Sequence, residues 1–177
     1  MAVTEFLELV GEKVRLRPFG SSDITDPYIG WLNDPEVTRF SNQRFRHHTC
    51  ESCMAYLASF AGTRNVFVSV REKAGNASIG TMTAYRNLNH DTCDVGIMIG
   101  NRDYWGGGYG QEAWNLLTDW LIIEVGVRKI TAGCLAVNGA MITLMERSGM
   151  VPDGVRKGQE IFDGSPVDIV HYARFSD

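Results

Sequence analysis

An apolar run, Asp94-Val-Gly-Ile-Met-Ile99, leads into a glycine cluster, Trp105-Gly-Gly-Gly-Tyr-Gly110, that opens a segment of helical periodicity. Residues of those types in that order can hold an anion. The first turn of a helix leaves backbone N–H groups unpaired and carries the positive end of the macrodipole, so a phosphate is stabilised there without a cationic side chain. Gly106, Gly107, Gly108 and Gly110 let the backbone approach the anion closely and tolerate the positive φ of a tight turn.

Three nucleotide ligands could use such a cradle. A P-loop needs Gly-Lys-Ser/Thr at the helix start to reach terminal phosphates and magnesium, and Tyr109-Gly-Gln-Glu does not supply it. The dinucleotide fingerprint fits Gly108-Tyr-Gly-Gln-Glu-Ala113, but it wants an acid about 20 residues on, at the end of the next strand. That strand ends in Val137-Asn138 instead. Coenzyme A is the third ligand, since its pyrophosphate needs the same cradle. Other chemistry-bearing groups are sparser. His47, His48, Cys50 and Cys53 could make half of a zinc site, yet no second Cys-x-x-Cys or His-x-x-His exists, and no metal is expected. With Cys93 and Cys134, the cysteines are too scattered for a disulfide scaffold.

The elements that must position these residues follow from periodicity and punctuation. Val14-Arg-Leu-Arg-Pro18 reads as a strand, and a helix starting at Ser21 or Ser22 carries Ile24, Tyr28, Trp31 and Leu32 before Asn33-Asp34-Pro35 stops it. Residues 35–49 read as irregular, aromatic and basic. Thr49 begins a second helix closed at Gly62. Strands at 65–71, 78–85 and 93–99 form a meander that delivers the chain to the glycine loop. The helix from Gly110 to Val125 crosses over to a strand at 129–137, which should lie parallel to the strand before the loop. A short helix through Leu144 and Met145 stops at Gly149, and residues 155–175 make a hairpin around Phe162-Asp-Gly-Ser165. The order is β-α-α-β-β-β-α-β-α-β-β, a mixed α+β sheet.

A chain of 177 residues, 44% apolar and 21% charged, fits one domain spanning residues 1–177. Its net charge of −4 argues against nucleic acid as a partner. No segment is long enough to span a membrane, and acids interrupt the apolar N-terminal run, which lacks the pattern of a leader signal. A cytoplasmic protein is expected.

Beyond the cradle, the chain resembles the GNAT acetyltransferase superfamily. Trp105-Gly-Gly-Gly-Tyr-Gly110 fits the last four positions of its [QR]-x-x-G-x-[GA] loop, with Trp105 where glutamine or arginine is usual. Tyr104 to Ala113 is similar to the Tyr-Trp-Gly-x-Gly-Tyr-x-x-Glu-Ala form of the branch that holds ribosomal-protein alanine acetyltransferases and surface-sugar acetyltransferases. Trp31-Leu-Asn-Asp-Pro-Glu-Val37 and Asn138 with Glu146-Arg-Ser-Gly-Met150 extend the likeness over most of the chain. The resemblance implies a mixed, mostly antiparallel sheet with helices on both faces and a splayed parallel strand pair holding the coenzyme. It implies acetyl-CoA as cosubstrate, with its pantetheine arm along Ile97, Met98 and Ile99. The pyrophosphate would take N–H groups from Gly106, Gly107, Gly108, Tyr109, Gly110 and Gln111. Asn138 would contact the coenzyme arm or cap a helix.

An attacking alkylammonium has a pKa near ~10 and must lose a proton. Asp94 is the first candidate base, where many relatives carry an acid before x-Gly, and His90 and His171 are reserves. The usual leaving-group acid, a tyrosine after the asparagine, falls in this register on Met145, which has no proton to give. Tyr104, Tyr109 and Ser148 are the remaining hydroxyls. The acceptor side would be lined by Trp31, Arg39, Phe40 and Arg44, in a loop that also holds Asn42, Gln43 and Arg46. Those residues suit a small-molecule primary amine with an anionic group and a ring, such as an amino sugar or sugar nucleotide. A protein N-terminal acetyltransferase and a non-catalytic acyl-CoA-binding module are the alternatives, and a homodimer is left open.

Overall fold

The computed structural model describes residues 8–176, so the N-terminal leader reading falls largely outside the described residues. Eight strands form one sheet: β1 Leu9–Val10, β2 Val14–Pro18, β3 Val66–Glu72, β4 Ser78–Asn87, β5 Thr92–Ile99, β6 Lys129–Leu135, β7 Val151–Phe162 and β8 Ser165–Phe175. Their spatial order is β1-β2-β3-β4-β5-β6-β8-β7. Among the described strands only β5 and β6 are parallel, because the helix between them carries the chain back to the start of the sheet.

Five helices cover both faces: α1 Asp26–Asn33, α2 Pro35–Thr38, α3 Cys50–Ala58, α4 Tyr109–Ile123 and α5 Gly139–Arg147. On one face, Leu16, Val68 and Val95 of the sheet bury against Trp114, Leu117 and Leu121 of α4 and Met145 of α5. On the other, Phe19 and Phe67 pack with Tyr28 of α1, Cys53 of α3 and Phe60. The aromatic rings here stack in series, Phe19 on Phe67 at 4.2 Å and Phe60 on Phe67 at 5.0 Å.

Several boundaries differ from the sequence reading. Ser21–Asp23 is a 3-10 turn, and α1 starts later, after Thr25, whose hydroxyl accepts from the Tyr28 N–H. Asp23 is buried instead of capping a long helix, paired with Arg17 at 2.6 Å and Arg71 at 3.3 Å. The proline that stops α1 also starts α2, since Asp34 caps that helix and Pro35 occupies its first position, where a missing N–H costs nothing. β6 ends at Leu135, two residues early, and β7 begins at Val151, its extra length absorbed by register shifts near Pro152 and Arg156.

Candidate active site

The site begins at a fork. β5 and β6 pair only through Thr92, Cys93 and Asp94 against Lys129, Ile130 and Thr131. Beyond that point β5 stays with β4 and β6 with β8, so Val95 to Ile99 present one strand edge to the gap. Trp105 closes the end of the strand, its indole N–H donating to the Ile99 carbonyl at 2.7 Å. The structure thus gives the unusual Trp105 a partner that the sequence did not suggest.

The loop then turns through Gly106 at φ 72° and Gly108 at φ 81°, left-handed conformations that favour glycine. Gly108 is the N-cap of α4 and has no side chain to satisfy the first N–H groups, which a Ser or Asp would normally do. A side chain at Gly110 would press on Ile99 at 3.4 Å. These residues fit a diphosphate: a helix terminus without a side-chain cap, and backbone turned by glycines. Tyr109 packs edge-on against Tyr104 at 5.0 Å. The Gln111 side chain is not part of the cradle. It donates to Ser148 Oγ at 2.7 Å and to Asn115 Oδ1 at 3.2 Å, tying α4 to the end of α5, so only its backbone can serve an anion. Asn138 caps α5 through Oδ1, accepting from Met141 N at 3.2 Å, which leaves its Nδ2 donors for a ligand.

Asp94 stands at the fork itself, and strands on either side complete its surroundings. Thr131 Oγ1 donates to its Oδ2 at 2.8 Å. His171 of β8 lies opposite Gly133, whose missing side chain makes room for the imidazole: a Cβ there would sit 2.8 Å from Nδ1. His171 Nε2 is buried and has no hydrogen-bond partner among the described residues. Desolvation by the neighbouring strands pushes the Asp94 pKa above the ordinary carboxylate value, against the opposing pull of the Thr131 hydrogen bond and the His171 charge. The residue nonetheless keeps an exposed face, so the group is both raised and reachable. Across the ladder Tyr85 pairs with Asp94, and its hydroxyl meets that of Tyr56 at 2.5 Å.

The other reserve residues fall elsewhere. His90 is exposed in the β4–β5 turn, at the end of β5 away from the glycine loop. Ser148 is buried and committed to Leu144 O at 2.8 Å and Asn115 Oδ1 at 2.9 Å, and Met145 is core. Neither supplies a proton to a thiolate. Cys50 is exposed while Cys53 is buried, and no group of three or more potential metal ligands forms among the described residues.

Where the sequence places the acceptor, the segment after α2 meets the tip of the β7–β8 hairpin around a cavity of about 440 Å³. Arg39, Arg44, Phe45 and Arg46 line it from the loop, and Ile161 to Gly164 from the hairpin. Phe40 stacks on Phe162 at 5.4 Å, and the Arg39 guanidinium lies 5.3 and 5.7 Å from those two rings. Arg44 is 3.9 Å from Glu160 and donates to the Ser41 carbonyl at 2.9 Å, so it braces the loop as much as it lines the cavity. Trp31 is not among the residues that line this cavity; it packs over Gly100 in the cluster with Tyr28. Sequence reasoning found the loop residues but missed Glu160 and Phe162, because no local pattern marks a hairpin tip as their partner.

Comparison with known proteins bears on this geometry. The family described as acetyltransferase (GNAT) domain matches residues 13–151. No curated protein matches the chain. A GNAT-family acetyltransferase from Bacillus anthracis superposes with a TM-score of 0.82 at 20% identity, covering 96% of this chain and 99% of that one. The ribosomal-protein-S5-alanine acetyltransferase of Vibrio fischeri gives 0.79 at 19% identity, with 97% of each chain covered. The spermidine N-acetyltransferase of Vibrio cholerae, in complex with CoA and spermine, gives 0.82 at 16% identity, covering 94% and 97%. Among the described residues no helix is long and apolar enough to cross a membrane.

Proposed function

Given that this chain belongs to the GNAT acetyltransferase family and is an acetyl-CoA-dependent N-acetyltransferase, we propose that its acceptor is the primary amine of a small molecule, acetylated by direct attack in a ternary complex. Acetyl-CoA supplies the thioester, an activated acyl group with a good leaving group. Ile97, Met98 and Ile99 hold the pantetheine arm along the open edge of β5, and a strand N–H there would meet the carbonyl oxygen as it gains charge. Gly106 to Gln111 hold the diphosphate through backbone N–H groups.

Asp94 takes the proton from the incoming ammonium, directly or through one water. The observation that carries this reading is its place at the fork, where the donor strand opens, with a raised pKa and an exposed face. A base poised above the usual carboxylate range loses less driving force in accepting a proton near neutral pH. His171 and Thr131 orient and tune that carboxylate. With Ser148 and Met145 committed elsewhere, the thiolate leaves as the anion, stabilised by solvent and the α4 terminus, or takes a proton from Tyr104 or Tyr109 beside the glycine loop.

The acceptor cavity favours an amine that also carries a phosphate or carboxylate and a ring. Its cations outnumber its lone lining acid, Asp163, and aromatic rings flank it. An amino sugar or sugar nucleotide satisfies that description, and the cavity is its only support, since two of the three neighbours named above act on spermidine and a ribosomal protein. A peptide N-terminus is the second reading, suggested by the likeness to the ribosomal-protein-S5-alanine acetyltransferase. Titration of acetyl-CoA, CoA and NADH, repeated on Gly108→Trp, tests the donor site: micromolar acetyl-CoA binding that the variant loses, with no NADH signal, is the expected result. An acceptor panel of amino-sugar nucleotides, polyamines and N-terminal peptides then tests the rest. Turnover of spermidine above all anionic amines would sink the acceptor assignment, and binding without turnover across the panel would leave an acyl-CoA-binding module.

A further inference from the structure

We propose that Lys13 is a ligand of the coenzyme's diphosphate, delivered to the glycine loop by a turn that Glu112 clamps onto α4. The proposal rests on the donor reading above. Lys13 follows the turn between β1 and β2 and is 94 residues from the loop it reaches, where its Nζ donates to the Gly107 carbonyl at 2.8 Å. The same ammonium lies 3.4 Å from where a Cβ on Gly108 would stand and 5.7 Å from the Tyr109 ring centre.

The backbone that carries it is fixed from two sides. Glu112, in the first turn of α4, accepts the N–H groups of Glu12 at 2.9 Å and of Lys13 and Val14 at 2.8 Å each. Gly11 permits this approach, because a Cβ there would lie 2.7 Å from the Glu112 carboxyl carbon. Lys73 fastens the turn from the other side, its Nζ donating to the Gly11 carbonyl at 2.8 Å and its N–H to the Lys13 carbonyl at 2.9 Å. Glu112 is thereby occupied with amide groups, and among the described residues Lys13 makes no ion pair with a carboxylate.

The ammonium is held here by a neutral carbonyl and not by a carboxylate. It sits beside the N-terminus of a 15-residue helix, the positive end of the macrodipole, where cations are disfavoured. An anion between the two reverses the sign of both contributions. The ammonium has three donors and Gly107 takes one, so two remain for phosphate oxygens. The diphosphate that the α4 terminus would hold is the anion within reach of both.

The test is calorimetric binding of CoA and of 3′-dephospho-CoA to the wild-type protein, Lys13→Met and Lys13→Arg, each at low and moderate salt. A charge-assisted contact predicts that Lys13→Met weakens both ligands about tenfold, while Lys13→Arg retains most of the affinity. It also predicts that wild-type affinity falls more steeply with salt than that of Lys13→Met, since one screened attraction has been removed. Unchanged affinity in Lys13→Met overturns the proposal. So does a loss confined to the ligand with a 3′-phosphate, or parallel salt dependences, which would mark Lys13 as a loop brace only. Wild-type protein that binds neither ligand overturns the donor reading itself, and this inference with it.

Discussion

The two sides of the cleft are built from different material. The proposed donor side is backbone: a strand edge from Val95 to Ile99 that β6 does not pair, glycines at positive φ, and a helix terminus without a side-chain cap. The acceptor side is side chains brought together from distant segments, with Arg44 reaching Glu160 and Phe40 stacking on Phe162. A site made of backbone recognises the part of a ligand that is common to all its uses. A site made of exposed side chains can be changed one residue at a time without disturbing the sheet, which suits the variable partner in the reaction. Asp94 stands at the fork, the last residue of β5 that pairs with β6.

The largest effect should come from that junction. Asp94→Asn keeps the shape and an acceptor for Thr131 but cannot take a proton, so kcat should fall by about 10²–10⁴-fold while acetyl-CoA affinity is unchanged. Steady-state kinetics beside calorimetry would show it, and a parallel loss of coenzyme binding would place Asp94 on the donor side instead. Stability should move the other way. The folded-state pKa of Asp94 is raised, so the folded protein keeps this proton to higher pH than the unfolded chain. Stability therefore falls as pH rises from the ordinary carboxylate range through the raised pKa, and is flat above it. Asn carries no such penalty. The variant should melt no lower than wild type at pH 7, with any advantage shrinking as the pH is lowered.

A smaller effect would sharpen how Asp94 is tuned. Gly133→Ala puts a methyl group where the His171 ring now lies and must displace it. Because the His171 charge lowers the Asp94 pKa, moving the ring away should raise it and shift the acid limb of the kcat/KM profile to higher pH. A limb that stays in place would mean His171 does not act on Asp94. This pairing also marks the limit of what the sequence discloses. The glycine loop and the crossover could be read directly, because glycine spacing and strand order constrain backbone within a few residues, whereas the fork was implied by the family resemblance. Thr131, Gly133 and His171 come together only through the register of β5, β6 and β8, and nothing local to His171 distinguishes it from any half-buried histidine. Met145 was legible as a departure from the family pattern, but that it is core, and that Ser148 is locked to Asn115, needed the packing of α5 on α4.

Within the donor side, Trp105→Phe removes the donor to the Ile99 carbonyl while keeping an aromatic ring. A net hydrogen-bond contribution of about 1 kcal/mol predicts roughly fivefold weaker acetyl-CoA binding, with the acceptor KM little changed. An effect on the acceptor alone would contradict the division drawn above, since Trp105 touches only the donor strand in its hydrogen bonding.

The smallest expected effect tests the other half of the comparison. Phe162→Ala takes away the ring that stacks on Phe40 and lies 5.7 Å from the Arg39 guanidinium, yet it leaves every strand pairing of the hairpin in place. Such an aromatic pair contributes about 0.5–1.5 kcal/mol beyond its buried area. Part of that holds the loop after α1 against the hairpin, and part positions Arg39 for an anionic acceptor. If the acceptor side works independently of the donor side, KM for the acceptor should rise two- to tenfold with acetyl-CoA affinity untouched. The rise should also be larger for an amine bearing a phosphate than for a neutral amine of the same size, because only the former uses Arg39. Equal losses for both amines would reduce the stack to a loop brace and leave the choice of acceptor to Arg46, which like Arg39 has no ion-pair partner among the described residues.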